Sequence, residues 1–239
     1  MKQELIYGIR PVIEALRSPR REVREVLDAT GNKEAATEAG RRGVPVKKAS
    51  RQQIEDLTSG AAHQGIAARV GPYPYSGLDE ILSSENPLIL VLDGVTDPRN
   101  LGAILRVADA SGTSGVIIPK DKAVGVTSVA VKASAGASEH VRVARETNLR
   151  RAIGRMKEAG CWTFAAEGDG ETLHTELDMA GPVALVLGSE GKGVRRLVRE
   201  GCDGSVSIPM LGAVGSLNVS VAAAALLYEA ERQRGWPRT

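Results

Sequence analysis

Cysteine, histidine and aromatic residues are all scarce in this chain, and each scarcity removes a class of protein. Only Cys161 and Cys202 are present among 239 residues, too few for a disulfide framework, so a reducing cytosol is the expected compartment. His63, His140 and His174 lie far apart without metal-ligand spacing, which argues against a zinc site; no metal is expected. Aromatics make up 3% of the chain, too little for a sheet platform that stacks several bases. Any nucleic acid would therefore be held by phosphate contacts and shape. No run approaches the roughly 20 apolar residues of a membrane span, and the opening Met1-Lys2-Gln3-Glu4 has no signal-peptide core. Neither a Walker loop nor a Gly-x-Gly-x-x-Gly turn after a strand occurs, so a phosphate-cradling enzyme is not supported. What remains, 42% hydrophobic and 25% charged, is the balance of an intracellular α/β protein.

The net charge of +2 conceals an asymmetry. Residues 1–71 carry 13 Lys/Arg against 9 Asp/Glu, whereas residues 72–239 carry 18 against 20. The basic excess includes Arg20-Arg21, Arg41-Arg42 and Lys47-Lys48; a phosphate backbone would use it, and a solvated surface is the plainer explanation. Periodicity in this part predicts a helix over Ile9–Leu16, a strand over Val23–Leu27 and a helix over Lys33–Arg42 stopped by Gly43. A short edge strand at Val44-Pro45-Val46, a capping box at Ser50 and Gln53 that starts a helix to Leu57, and a strand over Gln64–Val70 complete it. The proline- and glycine-rich run Gly71–Gly77 marks a boundary, giving units at 1–71 and 85–239 and a semi-stiff linker over 72–84 that lets them move.

The second unit alternates strand and helix. Leu88–Leu92 and Val183–Leu187 are unbroken apolar runs, as expected of strands covered on both faces in a parallel sheet. A helix is predicted over Pro98–Ala110, another over Asn148–Ala159, and a last one over about Leu217–Arg232 with Leu217, Val221, Ala224 and Tyr228 on one stripe. The fold class is α/β with a mostly parallel sheet, whose ligands gather beyond the carboxyl ends of the strands. Three polar or glycine-rich loops fall there: Asp93–Gly102, Gly188–Gly193 and Ile208–Ser220. Taken singly, each has a structural explanation. Asp97-Pro98 suits a helix cap, Arg106 has Asp109 available as a partner, Glu190 and Lys192 can pair, and Ser216 can cap the last helix. Those explanations do not account for three such loops all at strand ends.

Asn100-Leu101-Gly102-Ala103-Ile104-Leu105-Arg106, Gly188-Ser189-Glu190-Gly191-Lys192-Gly193 and Ile208-Pro209-Met210 through Ser216-Leu217-Asn218-Val219-Ser220 resemble, in order and separation, the three motifs of the SpoU (TrmH-type) group of SPOUT RNA ribose methyltransferases. Tyr7-Gly8 and His63-Gln64-Gly65-Ile66-Ala67-Ala68 resemble that group's small L30-like substrate-binding domain. The resemblance implies S-adenosylmethionine as methyl donor, a trefoil knot in the catalytic domain, and a homodimer that completes the site. It implies a guanosine ribose in the peptidyl-transferase loop of 23S ribosomal RNA as substrate, with a transfer-RNA guanosine or a non-catalytic RNA-binding relative as alternatives. DNA and membrane are not expected partners. Carried over by position, the cofactor lies among Gly188, Ile208, Met210, Ser216, Leu217 and Asn218. Asn100, Arg106, Glu190, Ser216 and Asn218 are the expected catalytic residues. An arginine keeps its proton to pH ~12 and beyond, so Arg106 is expected to hold the target phosphate and steer the hydroxyl rather than abstract a proton. Helix positions six apart are about 120° apart, so Asn100 and Arg106 converge only if Asn100 sits in the loop or first turn.

Overall fold

The computed structural model describes residues 4–189 and 191–235. Its first part is β1 (Glu4–Tyr7), α1 (Ile9–Arg17), β2 (Val23–Asp28), α2 (Lys33–Arg41), β3 (Val46–Lys48), α3 (Arg51–Thr58) and β4 (Ile66–Val70). These strands form a sheet of order β1-β4-β2-β3, with β4 antiparallel to both neighbours and β3 parallel to β2 at the edge. Ser50 and Gln53 cap α3 reciprocally, as their spacing predicts: the Ser50 side chain accepts from Gln53 N at 3.1 Å and Gln53 Oε1 accepts from Ser50 N at 2.8 Å. The edge strand lies two residues later than the Val44-Pro45-Val46 run suggests, because Pro45 contributes only its carbonyl, to Val26 N at 2.9 Å.

The second part runs α4 (Leu78–Leu82), β5 (Leu88–Asp93), α5 (Pro98–Ala110), β6 (Gly115–Pro119), α6 (Ser128–Ala133), a 3₁₀ turn (Ala137–Glu139), β7 (Val143–Glu146), α7 (Leu149–Glu158), β8 (Trp162–Ala166), β9 (Thr172–Leu173), β10 (Val183–Gly188), α8 (Arg196–Arg199), β11 (Gly204–Ser207) and α9 (Val219–Arg234). Seven strands in the order β7-β6-β5-β10-β8-β11-β9 make one sheet in which every neighbouring pair is parallel. Alternation along β5 explains its unbroken apolar run. Leu88, Leu90 and Leu92 pack under α5 and α9, whereas Ile89 and Val91 face α4, α7 and α8. Each fully buried side chain of this kind contributes roughly 1.5–3 kcal/mol relative to an exposed one. Because β10 is inserted between β5 and β8, the chain changes direction across the sheet at that point, and the carboxyl ends of β5, β8, β10 and β11 open onto common space.

The core under α5 and α9 continues without a break into the first sheet, through Ile6, Val12, Ile13, Leu16 and Ile66. Polar staples reinforce this seam. Arg21, 1% exposed, donates to Gly71 O at 3.1 Å and pairs with the equally buried Glu139 at 3.0 Å. Arg20 donates to Val141 O at 2.7 Å and Ser76 Oγ at 3.0 Å, and Ser18 Oγ donates to Glu139 O at 2.7 Å. Residues 72–84, read from composition as a linker, are packed rather than free. Tyr73 is buried with its hydroxyl donating to Ser138 O at 2.7 Å, Ser76 N donates to Val143 O at 2.9 Å, and Leu78 and Ile81 of α4 are buried. The proline–glycine run thus crosses the seam as a fixed strap, because its aromatic rings and extended backbone find partners on the β7 side of the large sheet.

The stripe predicted on the last helix is also placed differently. Helix α9 buries Val219, Ala223, Leu226, Leu227 and Ala230, while Leu217, Val221 and Tyr228 are exposed. Small alanines around α9 leave the period ambiguous, and the more apolar-looking stripe is the outward one. Among the described residues no helix is long and apolar enough to cross a membrane.

Candidate active site

The loop after β5 is anchored before it reaches α5. Asp93, with its carboxylate fully buried, accepts from Arg195 N at 2.8 Å and from Arg195 Nε at 2.7 Å. One carboxylate therefore ties the first loop to the far end of the second. Removing the Arg195 side chain would leave the buried Asp93 carboxylate short of a partner, whereas Arg195 itself is largely exposed to solvent. Asp97 then caps α5 by accepting from Arg99 N at 2.8 Å, with Pro98 at the first helical position, so Asn100 lies in the first turn.

The second loop closes on itself through Gly193 N donating to Ser189 O at 3.0 Å. Its entry residue has to be glycine. A Cβ at Gly188 would sit 1.9 Å from the carbonyl carbon of Gly193 and 2.2 Å from Val194 N, both backbone atoms. The bare α-carbon lets the loop fold back over the end of β10 and leaves main chain facing the cleft. Gly102 plays a comparable part in α5, where a Cβ would meet Ala130 O and Ala133 Cβ at 2.5 Å; its absence brings α6 close against α5.

The third loop, residues 208–218, extends across the opening with Leu211 at 98% and Val214 at 70% exposure. It ends in Asn218, which caps α9 by accepting from Ser220 N at 2.9 Å and donates through Nδ2 to Asn100 Oδ1 at 3.1 Å. Asn218, not Ser216, is the cap. The side-chain amide pair thus joins the starts of α5 and α9.

A cleft of about 480 Å³ lies between the second and third loops, within the range of small-molecule sites, and no residue of the first loop lines it. Gly188, Ile208, Met210, Ser216 and Leu217, five of the residues expected around a cofactor, line it together. Asn218 stands beside it and is not among its lining residues. Arg106 is exposed two turns along α5 from Asn100 and makes no hydrogen bond or ion pair among the described residues; the pairing with Asp109 that its spacing allows is not formed. Glu190 lies outside the described residues. Sequence reasoning missed one wall, the Ala166-Glu167-Gly168-Asp169 turn after β8. Its signal was available: a glycine-rich acidic run directly after an apolar strand, the same pattern that marked the other three loops. Val206, Val219 and Ala222 complete the apolar side.

The lining brings together glycines, aliphatic residues and two acidic residues, Asp169 and Glu167, the latter also paired with Arg199 at 3.4 Å. Such a surface suits a ligand with a flat apolar part and a positive charge. No histidine, cysteine or lysine lines it among the described residues. Among the described residues no group of three or more metal-ligating side chains occurs.

Comparison with known proteins agrees with this geometry. Residues 87–228 match the profile of the SpoU rRNA Methylase family, and residues 5–76 match that described as RNA 2'-O ribose methyltransferase substrate binding. The chain belongs to the SpoU rRNA methylase family and is a methyltransferase of the α/β class. It is similar to the 23S rRNA (guanosine-2'-O-)-methyltransferase RlmB of Vibrio cholerae, with 45% identity over 98% of each chain. It is also similar to the protein of the same name from Escherichia coli K12, with 43% identity over 97% of this chain and 99% of the relative. The crystal structure of the SpoU methyltransferase AviRb from Streptomyces viridochromogenes, in complex with the cofactor AdoMet, superposes with a TM-score of 0.83 at 28% identity, covering 99% of this chain and 92% of that one.

Proposed function

We propose that this protein transfers a methyl group from S-adenosylmethionine to the ribose 2′-oxygen of a guanosine in 23S ribosomal RNA, in the cytoplasm. The observation that carries the reading is the convergence of the segments 166–169, 188–193 and 208–217 on one cleft at the carboxyl ends of parallel strands, in a chain that matches rRNA guanosine methyltransferases over nearly its whole length. A transfer-RNA target is less well supported, since the TrmH/SpoU tRNA modifying enzyme of A. aeolicus aligns with only 66% of this chain.

The cleft fits the donor. Gly188 has no room for a side chain, which permits close approach of an adenine to main chain; Ile208, Met210 and Leu217 supply apolar contact, and Glu167 and Asp169 suit a sulfonium cation. S-adenosylmethionine supplies an activated methyl on positively charged sulfur. The protein's task is to bring a hydroxyl oxygen into line with it and to exclude competing water. Asn100 and Asn218, fixed on each other, present amide groups at the mouth of the cleft for the ribose, and Ser216 and Glu190 are assigned to the same pocket. Arg106, exposed on α5 and without a carboxylate partner among the described residues, holds the phosphate next to the target and steers the 2′-hydroxyl.

The reading assigns residues 1–71 to RNA-substrate binding and 85–239 to methyl transfer, with a trefoil knot at the C-terminal end. The lining of one cleft by both 188–193 and 208–217 supports that threading. It also includes a homodimer, supported by the exposed apolar groups Leu211, Val214, Leu217, Val221 and Tyr228 gathered on the third loop and the outer side of α9. Tritium transfer from labelled S-adenosylmethionine to unmodified 23S ribosomal RNA and, separately, to unmodified transfer RNA tests the assignment. Label on a guanosine ribose of ribosomal RNA is expected; label on transfer RNA alone overturns the substrate, and label on neither overturns the activity.

A further inference from the structure

Two turns of the first sheet meet where α6 reaches it. Gly8, at φ +100°, starts α1, and Gln64, at φ +58°, precedes β4. Gly8 N donates to Ile66 O at 3.0 Å, so the turns are side by side. Gln64 holds a left-handed backbone shape that a residue with a Cβ rarely adopts. In that shape its Oε1 accepts from Ile9 N at 3.2 Å and from Lys132 Nζ at 2.7 Å. Lys132, on the last turn of α6, crosses the notch left by Gly8, where a Cβ would stand only 2.4 Å from Nζ. The same helix packs on α5 at Gly102, one turn before Arg106. The notch and Arg106 are thus joined through α6 by two direct contacts.

Lys132 is partly buried, and burial pushes its ammonium below the usual lysine range. It forms no ion pair with a carboxylate among the described residues, and Gln64 takes only one of its three N–H donors. Two donors therefore point from the surface of the notch, and among the described residues no carboxylate pairs with them. A polyanionic substrate lying across the seam supplies acceptors for them.

We propose that Lys132, seated on Gly8 and Gln64, is a phosphate contact for the RNA between the two sheets and a positioning residue that sets which nucleotide reaches the cleft. The inference rests on the methyl-transfer reading above and extends it to the path of the strand: backbone contacts fix register, and this one lies between the substrate-binding sheet and Arg106. The test uses the full chain with an unmodified 23S ribosomal RNA fragment carrying the peptidyl-transferase loop. For Lys132→Gln, RNA affinity and 1/KM are expected to fall about tenfold, and the slope of log K against log salt to shrink by about 1. S-adenosylmethionine affinity and melting temperature should stay at wild-type values, and Lys132→Arg should restore the slope. Wild-type RNA affinity and salt slope in Lys132→Gln would overturn the proposal while leaving the activity standing. A fall in melting temperature that matches the loss of binding would also overturn it, because the role would then be structural. Failure of the wild-type protein to bind or methylate the fragment would remove the underlying reading, and this inference with it.

Discussion

Replacing Gly188 by alanine puts one methyl group against the backbone that shapes the cleft. Nothing in the local φ angle penalises alanine there; the obstacle is space alone. The new carbon would lie 1.9 Å from Gly193 C, whereas ordinary contact begins near 3.4 Å, so the 189–194 segment must retreat by about 1.5 Å. That segment leads directly into Arg195, whose backbone and side chain hold Asp93, so the displacement also loads the first loop. Overpacking of this kind costs typically 1–3 kcal/mol of stability. A misplacement of about 1 Å is enough to lose on the order of 10²-fold where alignment is the chemistry. Gly188→Ala is therefore expected to bind S-adenosylmethionine about 10²-fold more weakly, near 2.7 kcal/mol, by titration calorimetry, and to melt several degrees lower. Gly181→Ala is the control, since it has ordinary φ and open space and should change stability by no more than about 0.5 kcal/mol. A Gly188→Ala protein with wild-type affinity and melting temperature would refute the steric account of the second loop.

Further expectations concern charge, acid and association. Arg106→Ala should lower the methyl-transfer rate by on the order of 10²–10⁴ while leaving S-adenosylmethionine affinity within twofold; near-full activity in Arg106→Lys would sink the two-pronged phosphate role. Asp28 accepts from Thr30 N at 2.7 Å, Asn32 N at 2.7 Å, Gly31 N and the Thr30 hydroxyl. Burial opposes its ionisation, but these donors outweigh that and hold its carboxyl below the usual aspartate range. A depressed acid stabilises the fold above its unfolded pKa, and this is lost as pH falls through the folded value. The stability gap between wild type and Asp28→Asn in urea should accordingly be full at pH 7 and shrink below about pH 4; a gap constant to pH 3 would contradict the assignment. Val214→Glu should sediment as a smaller species than wild type and lose methyl transfer, whereas unchanged sedimentation would exclude the third loop from self-association.

Much of this architecture was legible because local and tertiary demands coincide. The β5 and β10 runs are apolar on both sides because both sides are covered, and the start of α5 follows from Asp97-Pro98. Where the two demands part, the sequence misleads. Leu217, Val221 and Tyr228 keep the spacing of a core stripe and yet face outward, because alanines and Leu226-Leu227 suffice to pack α9 inward. Helix α6 is only six residues long, Ser128–Ala133, and strand β9 only two, too brief to impose a period on the sequence. At the site, glycines and short polar residues mark three loops by their chemistry, but which of them share a wall depends on β8 lying between β10 and β11, a fact of strand order that no local pattern carries.

The seam at Arg20 and Arg21 has a practical consequence for anyone exchanging parts between relatives. A chimera cut after residue 71 leaves the Glu139 carboxylate and carbonyl facing an unfamiliar guest, and Val141 O and Ser76 Oγ must find new donors. The exchangeable module is not a contiguous stretch of sequence. It comprises the front sheet together with the strap through Ser76 and the turn around Glu139, which have to be transplanted as a matched set.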